Sequence, residues 1–408
     1  MSETALKGRQ MTANEDQGSA LASTVTAAER VLSDTCKAPV RLGQPERLTD
    51  EERRNIVLRC TVAEGPIGVP DSVIIKQAVP DRYDPEDSSH GSGAWGLFND
   101  WAGTQFLTDL TPEIPQCPRF YGGDRQAGLV VLEDLGSGDT LVEPLLGDDS
   151  SNAARWLLQL AKTLGHMHAS TAGRAAEFAM LRARLDGKEQ GGQSGQIRQA
   201  LAQLPEALAS IGISPSTRLD REVESVIAAQ EAPGPFLAYT HGDPCPDNCL
   251  QVGSNLRLID FELGRFRHAL SDGVYGHIFF PTCWCAGRVP AEIVTQMEAT
   301  YRHELARGCP EAEDDHLFDR AVVECCAAWT LGTLTWIVGL EEVLERNEEW
   351  GIATIRSRIV TRLDAFVGIS EQRGHLSEIR EAAALAAEEL RRRWTPETSA
   401  LPFYPAFR

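Results

Sequence analysis

Strand-type patterns dominate the first third of this chain. Asn55–Val62 alternates apolar and polar positions, Ser72–Val79 is β-branched and bounded by prolines, and Leu129–Leu132 is a short apolar run. Pro39–Leu42 is a further candidate for the start of a strand, whereas Trp95–Leu110 has helical spacing. These patterns predict a small sheet accompanied by a helix.

Helical patterns take over after about residue 150. Asn152–Ala169 is amphipathic, and helical spacing returns in three later segments, Pro290–Arg307, Asp319–Arg346 and His375–Arg393. Between the two parts lies the polar, glycine-containing segment Glu133–Gly138. We place there the boundary between a small β-rich lobe and a large, mainly helical lobe.

The two ends of the chain lack a clear pattern. Residues 1–35 are polar and rich in Ala, Thr and Ser, which predicts a flexible N-terminal extension. Residues 395–408 contain three prolines and predict an irregular tail. The expected domains are therefore an N-lobe over 36–135, a C-lobe over 136–394 and these two ends.

Composition and charge argue against some classes of protein. The net charge of −20 opposes binding to nucleic acid, whose phosphates need clustered Lys and Arg, and is compatible with a cationic substrate. No apolar run approaches the ~20 residues of a membrane-spanning helix. The first residues also lack the apolar core of a signal peptide. We expect a cytoplasmic protein with no nucleic-acid or membrane partner, and nothing in the sequence indicates its oligomeric state.

The ten cysteines are then expected to be reduced thiols. Their closest pairs do not form the paired CxxC pattern of a zinc site. These pairs are Cys245/Cys249, Cys283/Cys285 and Cys325/Cys326. The favoured interpretation is that the cysteines are buried small apolar residues rather than metal ligands.

The segment from Tyr239 to Asp272 contains the residue pattern that indicates chemistry. Two short apolar runs flank Gly253-Ser254-Asn255 and predict a hairpin centred on Ser254. This register places Asn248 opposite Asp260, with Cβ atoms about 5 Å apart. An amide oxygen and a carboxylate at that separation can share one hard cation such as Mg²⁺.

Two motifs in this segment resemble those of the aminoglycoside phosphotransferase family. The run from His241 to Asn248 (HGDPCPDN) resembles the family's catalytic loop, and Ile259–Glu262 (IDFE) resembles its metal-binding motif. The resemblance implies an α+β, two-lobed protein-kinase-like fold. It also implies a kinase that uses Mg²⁺ and transfers the γ-phosphate of ATP or GTP to a hydroxyl of a small molecule. Acceptors consistent with the family are aminoglycosides, other antibiotics, amino sugars and choline-like alcohols.

The resemblance also implies roles for individual residues. Asp243 would be the catalytic base or hydroxyl-orienting group, with His241 structuring the loop, while Asn248 and Asp260 would bind Mg²⁺. Glu262 would either reach a second metal or position the neighbouring chain. Phe280–Pro290 would line the acceptor side, with further candidate contacts on the later helices: Glu324, Glu341 and Glu342.

In the N-lobe, Lys76 interrupts the apolar strand and matches the strand lysine that pairs with nucleotide phosphates in kinases. Its usual partner is an acid on the next helix, and Asp100 is the candidate there. Glu133 and Leu135 would form the hinge whose backbone binds the purine. We expect Lys76→Ala to weaken nucleotide binding or turnover without loss of folding.

Two departures from the family pattern keep alternatives open. The turn Thr49–Arg54 has no glycine, so the side chains of Arg53, Arg54 or Asn55 would have to replace backbone contacts to phosphate. No lysine follows two residues after Asp243, and no activation segment follows Asp260, which favours a small-molecule acceptor over a protein kinase. A nucleotide-binding pseudokinase scaffold is the non-enzymatic alternative.

Overall fold

The computed structural model describes residues 21–50, 53–111, 113–186, 195–214, 216–332, 334, 340–394 and 400–408. Over these residues the chain forms two compact units. The first contains the described residues up to Ser137, residues 178–186 and Asp260–Leu263. The second contains the described residues of Gly138–Glu177, Gln190–Ile259 and Gly264–Arg408.

The elements follow one another along the chain in a mixed order. The helices are α1 (21–36), α2 (Gly93–Leu110), α3 (Val142–Leu146), α4 (Ser150–Thr171), α5 (Ala175–Asp186), α6 (Gly195–Leu201), α7 (Leu204–Ser210), α8 (Thr217–Glu231), α9 (Leu270–Gly273), α10 (Ala291–Leu305), α11 (Asp315–Gly332), α12 (Leu340–Glu345), α13 (Ile355–Arg373) and α14 (Ser377–Trp394). The strands are β1 (Arg41–Arg47), β2 (Asn55–Glu64), β3 (Ser72–Ala78), β4 (Phe120–Asp124), β5 (Leu129–Glu133), β6 (Leu237–Thr240), β7 (Cys249–Val252), β8 (Asn255–Leu258), β9 (Arg265–His268), β10 (Glu349–Trp350) and β11 (Ala353–Thr354).

The first unit is built on a five-stranded antiparallel sheet with strand order β1-β2-β3-β5-β4. The central strand β3 is mostly buried because its β-branched side chains fit a pleated, covered surface. Its register places Lys76 between Val57 on β2 and Val130 on β5. The predicted strands and the helix α2 are therefore present close to their expected bounds.

Helix α1 differs from the flexible extension expected over residues 1–35. Ala27, Ala28 and Leu32 are buried in one apolar cluster with Leu58 of β2 and Ile75 of β3. The apolar spacing of this helix is weak because small alanines form much of its buried face. Residues 21–35 are thus part of the folded unit, and residues 1–20 lie outside the described part of the chain.

The second unit is mainly helical, with short strand pairs β6–β9, β7–β8 and β10–β11. Helix α4 begins at an N-cap, where the Asp149 carboxylate accepts hydrogen bonds from the backbone N–H groups of Ser151 and Asn152. It packs against α10 at Gly165, where an added Cβ would lie 2.6 Å from the Tyr301 carbonyl oxygen. Close helix packing therefore requires glycine at this position.

Helix α13 has no counterpart among the expected helices. Its buried face combines apolar side chains such as Ile359, Leu363 and Phe366 with polar ones, among them Arg358 and Arg362. Arg358 donates to the carbonyl oxygens of Cys283 and Trp284, and Arg362 donates to that of Ile278. The helix therefore holds the loop that precedes α10 through charged hydrogen bonds.

None of the helices in the described ranges is long and apolar enough to cross a membrane.

Candidate active site

In the first unit, Lys76 lies at the centre of a group of carboxylates. Its Nζ is 2.8 Å from an oxygen of Asp100, 2.6 Å from Asp260 Oδ1 and 3.3 Å from Glu262 Oε1. Lys76 and Asp100 are buried, whereas 44% of the Asp260 side chain is exposed. The predicted pairing of the strand lysine with Asp100 is therefore present.

The charges in this group oppose the effect of burial. Burial alone would lower the pKa of Lys76, but Asp100, Asp260 and Glu262 together raise it well above its ordinary value. Burial raises the pKa of Glu262, although Lys76 and Asn55 oppose that shift. The ammonium group of Lys76 thus neutralises part of a negative cluster that can attract a cation.

Hydrogen bonds to the backbone hold helix α2 against the segment that carries Asp260 and Glu262. Asp100 Oδ1 accepts a hydrogen bond of 2.8 Å from the backbone N–H of Phe261. Asn99, the residue before Asp100 on α2, donates to the Glu262 carbonyl oxygen. Asp260 has a φ of 70°, in the left-handed region that few residue types tolerate. Several contacts therefore hold the chain in a backbone conformation that is costly by itself.

The turn that precedes β2 departs from the family pattern because it contains no glycine. Arg53 and Arg54 are exposed, and the Thr49 hydroxyl accepts a hydrogen bond from the backbone N–H of Val57. The Asn55 side-chain amide donates to Glu262 Oε1. Of the three side chains considered as phosphate contacts, Asn55 is thus bound to the carboxylate cluster of the same unit.

The predicted hinge follows β5. The backbone N–H of Glu133 donates to the Arg119 carbonyl oxygen, which completes the strand pairing. Asp134 then accepts hydrogen bonds from Arg59, Ser72 and the backbone N–H of Gly136. Within the described residues the backbone N–H of Leu135 donates to no partner. It is therefore available to a ligand, although the purine contact itself stays a prediction.

In the second unit, His241 organises the predicted catalytic loop. Its Nδ1 accepts a hydrogen bond of 3.2 Å from the backbone N–H of Asp243, and its Nε2 lies 2.9 Å from the Ile259 carbonyl oxygen. A carbonyl oxygen can only accept, so these two contacts assign the proton to Nε2. His241 thus links the loop to the end of the following hairpin, and its role in catalysis stays a prediction.

The same loop is supported by a buried carboxylate, Asp272, that lies outside the two predicted motifs. Asp272 accepts hydrogen bonds from the backbone N–H groups of His241, at 2.7 Å, and Gly242, at 3.3 Å. Burial alone would raise the pKa of Asp272, but His168 and Arg267 hold it below its ordinary value. Asp272 therefore acts as an ionised anchor, and only its distance along the chain from the motif hid it.

The Asp243 carboxylate is held on one oxygen. Its Oδ1 accepts hydrogen bonds from the Thr282 hydroxyl and, at 2.8 Å, from the Cys245 thiol. Its Oδ2 accepts none from the residues that the structure describes. The Tyr275 hydroxyl lies 3.2 Å from Thr282 Oγ1, so a short network supports the bound oxygen. Asp243 is thus oriented, with one oxygen left for a further donor.

The hairpin after the loop corrects the predicted register. Strands β7 and β8 pair Cys249 with Leu258 and Val252 with Asn255, so the turn has two residues and is not centred on Ser254. Asn248 therefore lies opposite Ile259, whose N–H donates to the Asn248 carbonyl oxygen at 3.0 Å. The expectation that Asn248 pairs with Asp260 is wrong by one residue because the turn is one residue shorter. The ligand roles of both residues stay predictions.

Of the three glutamates predicted as acceptor contacts, only Glu324 has a side chain among the described residues. Glu324 is buried and accepts from Arg320 at 2.8 Å, while His375 lies 3.2 Å from the same oxygen. These partners satisfy its carboxylate and do not support a contact with an acceptor. The side chains of Glu341 and Glu342 lie outside the described residues.

Taken separately, the two units carry side chains of the types that phosphoryl-transfer enzymes use. One unit presents a strand lysine paired with a helix acid beside an exposed carboxylate, and the other presents a loop with an oriented aspartate. A lysine that binds phosphates, a metal-binding Asp and a hydroxyl-orienting Asp are the parts of a phosphoryl-transfer enzyme of the kinase class.

Comparison with known sequences agrees with that class. The profile described as the phosphotransferase enzyme family matches residues 102–307, and the chain belongs to this family. It is therefore a phosphotransferase that acts on hydroxyl acceptors, with the predicted α+β, protein-kinase-like fold. The family also supports the predicted small-molecule kinase, and kinases of this type use a nucleotide and a divalent metal.

Among solved structures, a choline/ethanolamine kinase family protein from Mesorhizobium loti is 14% identical, covering 85% of this chain and 93% of its own, with a TM-score of 0.44. Macrolide 2'-phosphotransferase MphH from Brachybacterium faecium is also 14% identical, with coverages of 89% and 97% and a TM-score of 0.42. ADP-bound aminoglycoside phosphotransferase APH(2'')-Ib is 11% identical, with coverages of 88% and 97% and a TM-score of 0.44. No curated protein matches the sequence.

Proposed function

We propose that this protein transfers the γ-phosphate of ATP or GTP to a hydroxyl group of a small molecule, with Asp243 as the group that orients and deprotonates that hydroxyl. The observation that supports this proposal most directly is that the two oxygens of the Asp243 carboxylate differ in their hydrogen bonds. Thr282 and Cys245 hold Oδ1, whereas Oδ2 accepts no hydrogen bond within the described residues. An acceptor hydroxyl can therefore donate to Oδ2, which then takes the proton as the oxygen attacks phosphorus.

The nucleotide roles are assigned to the first unit. Lys76 would bind nucleotide phosphates while Asp100 holds its ammonium group, a division supported by their 2.8 Å ion pair. The free backbone N–H of Leu135, directly after Asp134, would bind the base, with Glu133 completing the hinge. The Asn55 side-chain amide would hold the Glu262 carboxylate in position through its hydrogen bond.

Mg²⁺ fits the oxygen donors that the chain offers. The exposed carboxylate of Asp260 already lies against one cation, the Lys76 ammonium. The Asn248 side-chain N–H donates to the Asp243 carbonyl oxygen, which leaves Oδ1 of that amide for a ligand. We therefore assign Asn248 and Asp260 as the residues that hold Mg²⁺. The ion would neutralise charge on the transferred phosphoryl group.

The acceptor is a small molecule with a hydroxyl group, drawn from aminoglycosides, other antibiotics, amino sugars and choline-like alcohols. The net charge of −20 favours cationic compounds among these. Solved structures with similar folds include a choline/ethanolamine kinase family protein and a macrolide phosphotransferase, whose names indicate such acceptors. We place the protein in the cytoplasm, without a nucleic-acid partner.

Transfer of labelled γ-phosphate to a panel of these acceptors, with Mg²⁺ and either ATP or GTP, tests the proposal. We expect Asp243→Asn to lower turnover by about 10²-fold or more, because the amide cannot take a proton. Nucleotide affinity, measured by calorimetry, should stay close to that of the wild type. Retained turnover in Asp243→Asn would contradict the assigned base. Nucleotide binding without transfer to any acceptor would favour the pseudokinase scaffold.

A further inference from the structure

Cys245 and Asp247 of the catalytic loop lie close to Cys283, and Cys285 lies beside Cys283, although the two pairs are far apart in sequence. The Sγ atoms of Cys245 and Cys283 and a carboxylate oxygen of Asp247 all lie within 4.8 Å of one another. Cys285 Sγ is 3.0 Å from Cys283 Sγ. From this geometry we propose that Cys245, Cys283, Cys285 and Asp247 form a binding site for a thiophilic divalent cation, Zn²⁺ foremost.

The donor set suits zinc and not magnesium. Zn²⁺ binds thiolate sulfur at about 2.3 Å and carboxylate oxygen at about 2.0–2.2 Å, in a tetrahedral shell of four ligands. Two sulfurs on one zinc ion are therefore about 3.8 Å apart, so shifts of about 1 Å would bring the ligand atoms of Cys245, Cys283 and Asp247 to one ion, with Cys285 as the fourth ligand. Mg²⁺ binds oxygen and has little affinity for thiolates.

One ligand atom in the group lacks any other partner. Asp247 Oδ1 is buried and makes no hydrogen bond within the described residues, whereas Oδ2 accepts from Trp284 Nε1 at 3.1 Å. A buried carboxylate oxygen without a partner is costly, and a metal ion would satisfy it. Asp247 is half-buried and Trp284 is exposed, whereas the three cysteines are buried.

The loop that carries two of the sulfurs is held in an unusual conformation. Phe279 and Phe280 have φ values of 57° and 52°, in the left-handed region, and such strain persists only where contacts enforce it. Arg358 supplies contacts to the Cys283 and Trp284 carbonyl oxygens at 2.6 and 2.7 Å. Its positive charge would also offset the excess negative charge of three thiolates and a carboxylate around Zn²⁺.

Binding would act on phosphoryl transfer, a consequence that rests on the proposed function. The Cys245 thiol donates to Asp243 Oδ1. As a zinc ligand Cys245 is a thiolate, so Asp243 loses that hydrogen-bond donor. Zinc should therefore lower turnover, and its removal by a chelator should restore it.

The first test measures metal binding without any enzymatic readout. Chelator-treated protein is titrated with Co²⁺ under anaerobic, thiol-free reducing conditions and in excess Mg²⁺, then Zn²⁺ is added in competition. We expect one ion per chain, a thiolate-to-cobalt charge-transfer band and the intense visible bands of tetrahedral cobalt. Cys283→Ser and Cys285→Ser should each weaken Zn²⁺ binding by more than the roughly 100-fold that loss of an outer-shell partner can cost.

Two variants serve as controls. Cys60→Ser alters an equally buried thiol on β2 of the first unit, and Asp260→Asn removes a proposed Mg²⁺ ligand. Both should retain the cobalt spectrum. Cadmium NMR on the unmodified chain reports the number of thiolate ligands, so the test does not depend on the cysteine variants folding.

Wild-type protein without the charge-transfer band, or with a cadmium shift typical of oxygen ligands alone, would overturn the site. An unchanged spectrum in a folded Cys283→Ser variant would do the same. Zinc should inhibit transfer in the wild type and not in Cys283→Ser. If no acceptor is phosphorylated while the cobalt spectrum appears as expected, the proposed function fails and the metal site stands.

Discussion

Removing the Lys76 ammonium should destabilise the protein as well as weaken nucleotide binding. The sequence alone predicted that Lys76→Ala would leave folding intact, because a phosphate-facing lysine is not expected in the core. The structure buries Lys76 and pairs it with Asp100, whose side chain is only 3% exposed. Lys76→Met keeps the side chain up to the position of the ammonium group and leaves Asp100 as a buried charge without a counterion.

The expected cost follows from the burial of the partners. Breaking a buried ion pair by removing one member costs about 3–5 kcal/mol. Asp260 contributes little to this figure, because water screens its exposed carboxylate. Asp100 also keeps its hydrogen bond from the N–H of Phe261. We therefore expect a loss near the lower end, about 3 kcal/mol in the free energy of unfolding.

Urea unfolding followed by tryptophan fluorescence measures this loss at pH 7, with nucleotide absent. The double variant Lys76→Met/Asp100→Asn is the matched control. It removes both charges, and Asn retains an oxygen for the Phe261 N–H, so most of the stability should return. A Lys76→Met variant within about 0.5 kcal/mol of the wild type would refute the reasoning, because that is the range of exposed substitutions.

The pH dependence gives an independent check of the same ion pair. The pKa of Lys76 is raised in the folded protein, so its contribution is fully present below its ordinary value of 10.5. It is lost only as the pH rises through the raised value. The difference between wild type and Lys76→Met should therefore persist from pH 7 to above pH 10.

Two further predictions concern the second unit. Asp272→Asn keeps one acceptor oxygen and places an N–H donor group at the other oxygen position, against the N–H of either His241 or Gly242, which should cost about 1–3 kcal/mol at pH 7. Because the pKa of Asp272 lies below 3.8, the wild-type advantage should hold above that pH and shrink as the pH falls further, which acid-dependent urea midpoints would show. A constant difference down to pH 2 would contradict this. Thr282→Val removes a donor to Asp243 and should lower kcat about 10-fold with little change in nucleotide affinity, whereas an unchanged kcat would exclude the positioning role.

Much of the site was predictable because its residues lie in continuous motifs. Lys76 stands out as one charge in an apolar strand, and the run from His241 to Asn248 has a spacing that few other functions share. Asp100 could be proposed only as the acid on the next helix. In these cases local sequence carries the signal, since neighbouring residues fix both the element and the face that it presents.

The residues that were missed act across long separations in the chain. Thr282 reaches Asp243 from a loop whose conformation depends on Arg358 and Arg362 of α13. That helix was itself missed, although its buried face carries Ile359, Leu363 and Phe366 beside these arginines. Apolar spacing can indicate such a helix, but it does not indicate that its arginines reach the carbonyl groups of a distant loop.

A one-residue error in the predicted register of the hairpin changes which residues lie opposite each other near the proposed metal site. A turn of two residues instead of three pairs Asn248 with Ile259 rather than with Asp260. Successive residues of a strand point to opposite faces, so a shift of one residue changes which side chains share a face. Direct pairing across the strands therefore cannot be the reason that Asn248 and Asp260 would bind one ion. The case for Asn248 rests instead on its side-chain N–H, which is committed to the Asp243 carbonyl oxygen and leaves Oδ1 free, and the case for Asp260 rests on its exposed carboxylate.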